Sequence, residues 1–231
     1  MSFPQNHSGR AIAGKRKGRG WRLALAAALC SLSLTGPLSA AVPASAESAD
    51  VEKAENYLNG ITTFKAHFMQ VNPDGATAEG TVYLWRPGRL RLDYDPPSPI
   101  EVVADGNFLI YYDKQLQQVS YLGLDSTPAG ILVRPAIKLN GEDLKVTKVG
   151  HQPGIMNVTV IKAADPSQGR ITLVFTESPF QLRQWQVTDP QGQVTTVSLF
   201  DASTGLTFDK DLFYFKDPKL GHGPDLSTSG R

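Results

Sequence analysis

The sequence predicts a mainly β domain, a large curved sheet with a small helical cover. Three observations carry that expectation. Roughly ten or eleven short segments alternate apolar and polar residues at period two, with turn residues between them. Helical features appear at just two places in the body of the chain, residues 47–60 and 125–140. No internal repeat of about 20–50 residues is apparent, so the strands belong to one barrel or sandwich.

The N-terminus stands apart from that body. Residues 1–22 carry Arg10, Lys15, Arg16, Lys17, Arg19 and Arg22 and no acid, and Leu23–Leu34 then form an apolar run of 12 residues. Ala44-Ser45-Ala46 fits the small-x-small pattern after which signal peptidase cuts, so residues 1–46 are expected to be a cleaved secretory signal. The run is too short for a membrane anchor, which needs ~20 apolar residues. Cys30 lies inside the run, preceded by Leu29, so it does not form a lipidation site. The remaining 185 residues hold no cysteine, which excludes disulfides, thiol catalysis and cysteine metal sites. They carry 17 cations against 22 acids, a net charge of −5, which gives no electrostatic reason to bind nucleic acid or anionic lipid.

Within this body, Val51, Ala54, Tyr57, Leu58 and Ile61 recur at helical spacing, and Asn59-Gly60 stops the helix. The period then changes to two, with Phe64, Ala66 and Phe68 on one face of the first strand. Strands follow at Thr77–Trp85, Arg89–Asp95, Ile100–Ala104, Asn107–Asp113 and Leu116–Leu122, separated by Asn72-Pro73-Asp74-Gly75, Pro87-Gly88, the prolines at 96, 97 and 99, and Asp105-Gly106. Ser126-Thr127-Pro128 opens one or two short helices across 125–140. Strands resume at 142–150, 154–162, 169–176, 182–188 and 193–200, and Phe213 and Phe215 stand at strand spacing near the end. Residues 47–217 thus form one domain, followed by a polar tail at 218–231 that is expected to be loose.

Chemistry is scarce. His67, His151 and His222 lack ligand spacing, and no nucleophile elbow, P-loop or dinucleotide fingerprint is present, so no metal, cofactor or catalytic residue is assigned. Two acid pairs, Asp93 with Asp95 and Glu142 with Asp143, read as turn or edge residues. Thr81–Trp85 and Phe108–Tyr112, by contrast, are apolar on both faces. A sheet needs only one covered face unless helices or a ligand cover the other, so this pattern suggests an apolar cavity.

The run Leu84-Trp85-Arg86-Pro87-Gly88-Arg89-Leu90-Arg91-Leu92-Asp93-Tyr94 resembles the periplasmic carriers of outer-membrane lipoproteins. Val103-Ala104-Asp105-Gly106 with Leu109 to Asp113, Thr127-Pro128 before Ile131-Leu132, the Phe64-to-Gln70 strand and Phe213-x-Phe215 match the same family in the same order, Phe213-x-Phe215 as its last strand. The resemblance implies an unclosed antiparallel half-barrel of about 11 strands with a helical lid. It also implies a soluble, monomeric, non-enzymatic shuttle in a Gram-negative periplasm. Such a carrier would take acylated lipoproteins from an inner-membrane ABC release complex to an outer-membrane receptor.

In that family the arginine of the Arg-Pro pair holds the lid shut by bonding helix carbonyls. Here this would be Arg86, with backbone partners near Leu58, Leu132 and Val133. Candidate acyl-cavity residues are Phe64, Phe68, Leu84, Leu90, Leu92, Ile110, Tyr112 and Ile131. The family often places two more residues between its tryptophan and the Arg-Pro pair, so the aim of Trp85 stays open. A lipid- or lipoprotein-sensing regulatory domain of the same fold is the alternative reading, and a hydrolase with an unrecognised carboxylate pair is a third.

Overall fold

The computed structural model describes residues 44–218. Residues 1–43 and 219–231 lie outside this range, and with them most of the expected signal, Cys30, His222 and nearly all of the tail.

One helix, α1 (Ala44–Gly60), opens the described chain. It buries Val51, Ala54 and Leu58, with Ile61 just beyond it, while Glu52, Lys53 and Asn56 face solvent. Eleven strands follow. The first six are β1 (Thr63–Val71), β2 (Thr77–Trp85), β3 (Arg89–Tyr94), β4 (Ile100–Asp105), β5 (Phe108–Asp113) and β6 (Gln118–Gly123). The rest are β7 (Leu144–Gln152), β8 (Ile155–Lys162), β9 (Arg170–Glu177), β10 (Phe180–Thr188) and β11 (Val194–Thr204). All eleven form one antiparallel sheet in the order β6-β5-β4-β3-β2-β1-β11-β10-β9-β8-β7.

That order dictates the cover. β6 and β7 are consecutive in the chain yet stand at opposite edges of the sheet. The segment between them, residues 124–143, therefore has to pass from one edge to the other. It contains two 3-10 helices, Leu124–Ser126 and Pro128–Val133. Thr127 caps the second by accepting a hydrogen bond from the Gly130 amide at 3.1 Å, and Pro128 occupies its first position, where no amide donor is needed.

Register separates the two faces of the sheet. On the face covered by α1 and this segment lie Phe64, Ala66 and Phe68, then Val82 and Leu84, then Leu90 and Leu92, then Val102 and Ala104. Gly80 continues the set without a side chain, because a Cβ there would stand 2.0 Å from the Asp93 carbonyl oxygen. Val197, Leu199, Trp185, Leu173 and Val158 complete it on the other wing.

The opposite face of β2 to β6 carries the other apolar set, and residues 208–217 lie over part of it. Phe213 and Phe215 do not form a last strand: Lys210–Phe213 is a 3-10 turn capped by Asp209, whose carboxylate accepts from the Asp211 amide at 3.0 Å. A capped turn satisfies those amides locally and leaves no ladder to extend. Phe213 packs on Trp85 (5.9 Å) and Phe208 (5.9 Å), and Phe215 packs on Tyr112 (5.6 Å). Arg91 joins this cover to the sheet: it donates to the Leu212 carbonyl (3.3 Å) and pairs with Asp93 (2.5 Å) and Glu101 (2.9 Å). Further along, the Tyr121 hydroxyl donates to Asp217 at 2.6 Å, a bond that pushes Tyr121 up to about 12. The second apolar face of β2 and β5 is thus covered at Tyr83, Trp85 and Tyr112 by Phe208, Phe213 and Phe215, while Phe108 stays exposed.

This placement corrects two expected cavity residues. Tyr112 pairs with Glu101 and Ile110 with Val103, on the face away from α1. Both are buried, at 8% and 3% exposure, and Phe215 of the C-terminal segment packs on Tyr112. Trp85 shares that face, with the Arg89 guanidinium 4.8 Å over its ring.

Candidate functional site

The site is the space between the sheet and its cover. Leu58 and Ile61 enter it from α1 and the residue after it, Leu132 from the cover, Phe64, Val82, Leu84 and Leu90 from one wing, and Leu182 and Trp185 from the other. One charged residue, Arg86, completes the lining. What remains is a cavity of about 20 Å³, room for about one water molecule. Closed in this way, the hollow holds no acyl chain.

The cover is attached to the sheet at a few polar points. A guanidinium nitrogen of Arg86 donates to the Leu58 carbonyl, in the last turn of α1. The Arg86 amide donates to the Thr62 carbonyl at 2.8 Å. The Gly88 amide donates to the Val133 carbonyl at 2.7 Å, at the end of the second 3-10 helix. Arg86 therefore meets one of its three expected partners, Leu58. The Val133 carbonyl is taken by Gly88, whose positive φ of 82° turns the chain just after the Arg86-Pro87 pair. At the rim, His151 Nε2 lies 2.9 Å from Asp50 on α1, and its Nδ1 lies 3.4 Å from Glu177.

Arg86 is 9% exposed, its Nε is buried without a hydrogen-bond partner, and no carboxylate among the described residues pairs with it. Burial lowers the proton affinity of the guanidinium, the signature of an ion poorly compensated by its surroundings. Such a group is held less favourably than a fully bonded one, which leaves the closed state open to displacement. Deeper in the sheet, Tyr94 donates to Gln70 at 2.8 Å and sets its ring edge-on to Phe68 at 5.1 Å. Burial keeps its hydroxyl protonated well beyond its ordinary range.

Within the cover, α1 and the crossing segment are tied to each other. The Asn59 side chain donates to the Ile137 carbonyl and accepts from its amide, both at 2.8 Å. Glu55 accepts from the Leu139 amide at 2.6 Å. Asn59→Ala leaves both Ile137 groups to find other partners, at a cost of about 1–3 kcal/mol. The expected result is faster proteolytic cleavage near 134–143 at a modestly lowered urea midpoint; cleavage at the wild-type rate would show that the tie carries no weight.

A family model described as "Outer membrane lipoprotein carrier protein LolA" matches residues 59–216. The chain belongs to that family. It is 27% identical over 183 residues to an outer-membrane lipoprotein carrier protein of Methylococcus capsulatus, covering 75% of this chain and 86% of that one. A Legionella pneumophila (strain Corby) protein of the same description is 31% identical over 178 residues, covering 73% and 86%. One from Chromohalobacter salexigens is 29% identical over 219 residues, covering 91% and 97%. The LolA family is one of carriers and not of enzymes.

For this LolA-family chain, Phe64, Leu84 and Leu90 line the hollow, and Ile131 is buried in the same core. Phe68 lies on the same face, beside Tyr94, and Leu92 is half-buried there. Trp185, Leu182 and Val82 line the hollow without standing among the expected cavity residues, and Ile61, from the apolar stripe expected of the helix, joins them. For Leu182 and Trp185 the reason is a bulge in β10 between Leu182 and Gln184, which places two residues at odd spacing on one face. Strict alternation from Leu182 would have turned Trp185 outward.

Proposed function

We propose that this protein is a periplasmic carrier that shelters the acyl chains of lipoproteins between its sheet and its cover and moves them from the inner to the outer membrane. The observation that carries the reading is an apolar hollow, nearly filled when closed, whose cover is pinned by an incompletely satisfied arginine. Opening lifts Leu58 and Leu132 off the sheet and breaks the Arg86–Leu58 and Gly88–Val133 bonds. Asn59 and Glu55 let α1 and the crossing segment move as one piece. Acyl chains then take the place of the displaced side chains, and each buried methylene contributes about 0.8 kcal/mol. Because closure restores similar contacts within the protein, the two states stay close in energy, as a carrier that must release its cargo requires.

In this reading residues 1–46 direct export and are removed, an inner-membrane ABC release complex supplies the client, and an outer-membrane receptor takes it. The test is to purify the mature protein from a periplasmic extract and identify co-purifying molecules by mass spectrometry. Triacylated lipoproteins are expected. Recovery of free lipid alone, or of nothing, would count against the carrier role.

A further inference from the structure

The two edges of the sheet are treated differently. Edge strand β7 carries Lys145, Lys148 and a bulge between Val146 and Lys148, devices that keep a strand edge from pairing with other chains. Edge strand β6, sequence QVSYLG, has no lysine, no proline and no bulge. The Leu124 amide bonds the Asn107 carbonyl at 3.0 Å, which makes Leu122, Ser120 and Gln118 the residues that exchange hydrogen bonds with β5. By alternation, the amides and carbonyls of Val119 and Tyr121 point away from the sheet, and among the described residues no strand meets them.

Edge strand β6 and its neighbour β5 expose apolar side chains on both faces. Leu122 (47%) and Tyr111 (42%) stand on the face of the hollow, and Tyr121 (46%) and Phe108 (45%) on the other. β6 runs directly into the cover at Leu124, so the edge adjoins one end of the cover. Around it stand Asp105, Asp113 and Asp125, whereas Lys114 is occupied by Glu101 at 3.2 Å.

We propose that β6 is a strand-addition site for the client's own polypeptide, the extended segment that follows its acylated first residue. It rests on the carrier reading. Free backbone donors and acceptors at strand spacing select an extended peptide over lipid or sugar. The apolar side chains on either face receive alternate residues of the added strand. The carboxylates favour a neutral or basic segment over an acidic one. Acyl chains in the hollow hold that segment beside the edge, so weak pairing is enough to orient the client.

The test compares two synthetic triacylated cysteinyl peptides, one with a single residue after the cysteine and one with ten neutral residues. The longer peptide is expected to bind about tenfold more tightly. It should also protect the Val119 and Tyr121 amides from hydrogen exchange. Val119→Pro removes an outward donor that edge strands tolerate losing, so it should abolish the tenfold gain while leaving the short peptide's affinity unchanged. Val119→Thr, which keeps the amide, should retain the gain. Equal binding of the two peptides, or unprotected amides in the wild-type complex, would overturn the proposal while leaving the carrier reading intact. Failure of both peptides to bind overturns both. Amides protected without peptide, in a concentration-dependent dimer, would assign the edge to a second copy instead.

Discussion

Arg86→Leu is expected to load lipoproteins and fail to pass them on. In the closed state the guanidinium supplies a hydrogen bond to the Leu58 carbonyl, and hydrogen bonds from charged groups are worth about 1.5–3 kcal/mol. Losing it shifts the balance toward the open form by roughly 10- to 150-fold, and a ligand that binds the open form gains apparent affinity by that shift. The substitution also removes a buried charge whose Nε lacks a partner and puts an apolar side chain among apolar neighbours. The two changes oppose each other in stability, so the melting temperature should move little while onward transfer collapses. The measurement is transfer of a bound lipoprotein to outer-membrane vesicles, run beside a thermal melt. Normal transfer by a stably folded Arg86→Leu protein would remove the proposed lock.

Much of this arrangement is legible in the sequence, and the misses have a common cause. Period two and turn residues mark the strands because each strand meets a covered and an open face locally. Arg86 and Leu58 come together as the family resemblance implied, since both sit beside regular elements, the end of β2 and the last turn of α1. What sequence reasoning cannot supply is which face a two-sided strand turns toward the hollow. β5 has leucine and tyrosine on one side and phenylalanine, isoleucine and tyrosine on the other, and nothing local distinguishes them. The answer is about 100 residues away in the C-terminal segment, as the Ile110 and Tyr112 placements record. A bulge is equally invisible: one extra residue in β10 reverses the facing of everything after it. Long-range cover and single-residue irregularities are settled by tertiary packing, where local pattern has no purchase.

The two buried faces make a second large effect separable from the first. Phe213→Ala is expected to destabilise the fold by about 3–5 kcal/mol without weakening acyl binding by the protein that remains folded. Phe213 is 3% exposed and packs between Trp85 and Phe208, so its truncation leaves a void that the short capped turn cannot close. It also loosens the cover beside β4, where Val103 is 0% exposed. None of these residues reaches the hollow, because the whole thickness of the sheet lies between the faces. Trp185→Ala provides the contrast: it lines the hollow and enlarges it by most of an indole. Its truncation should change acyl affinity as well as stability, while Phe213→Ala changes stability alone. Denaturant unfolding gives the first quantity, and titration with a fluorescent fatty-acyl probe well below the melting transition gives the second. An equal loss of probe affinity in the two variants would mean that the faces are coupled, and that the C-terminal segment belongs to the binding machinery after all.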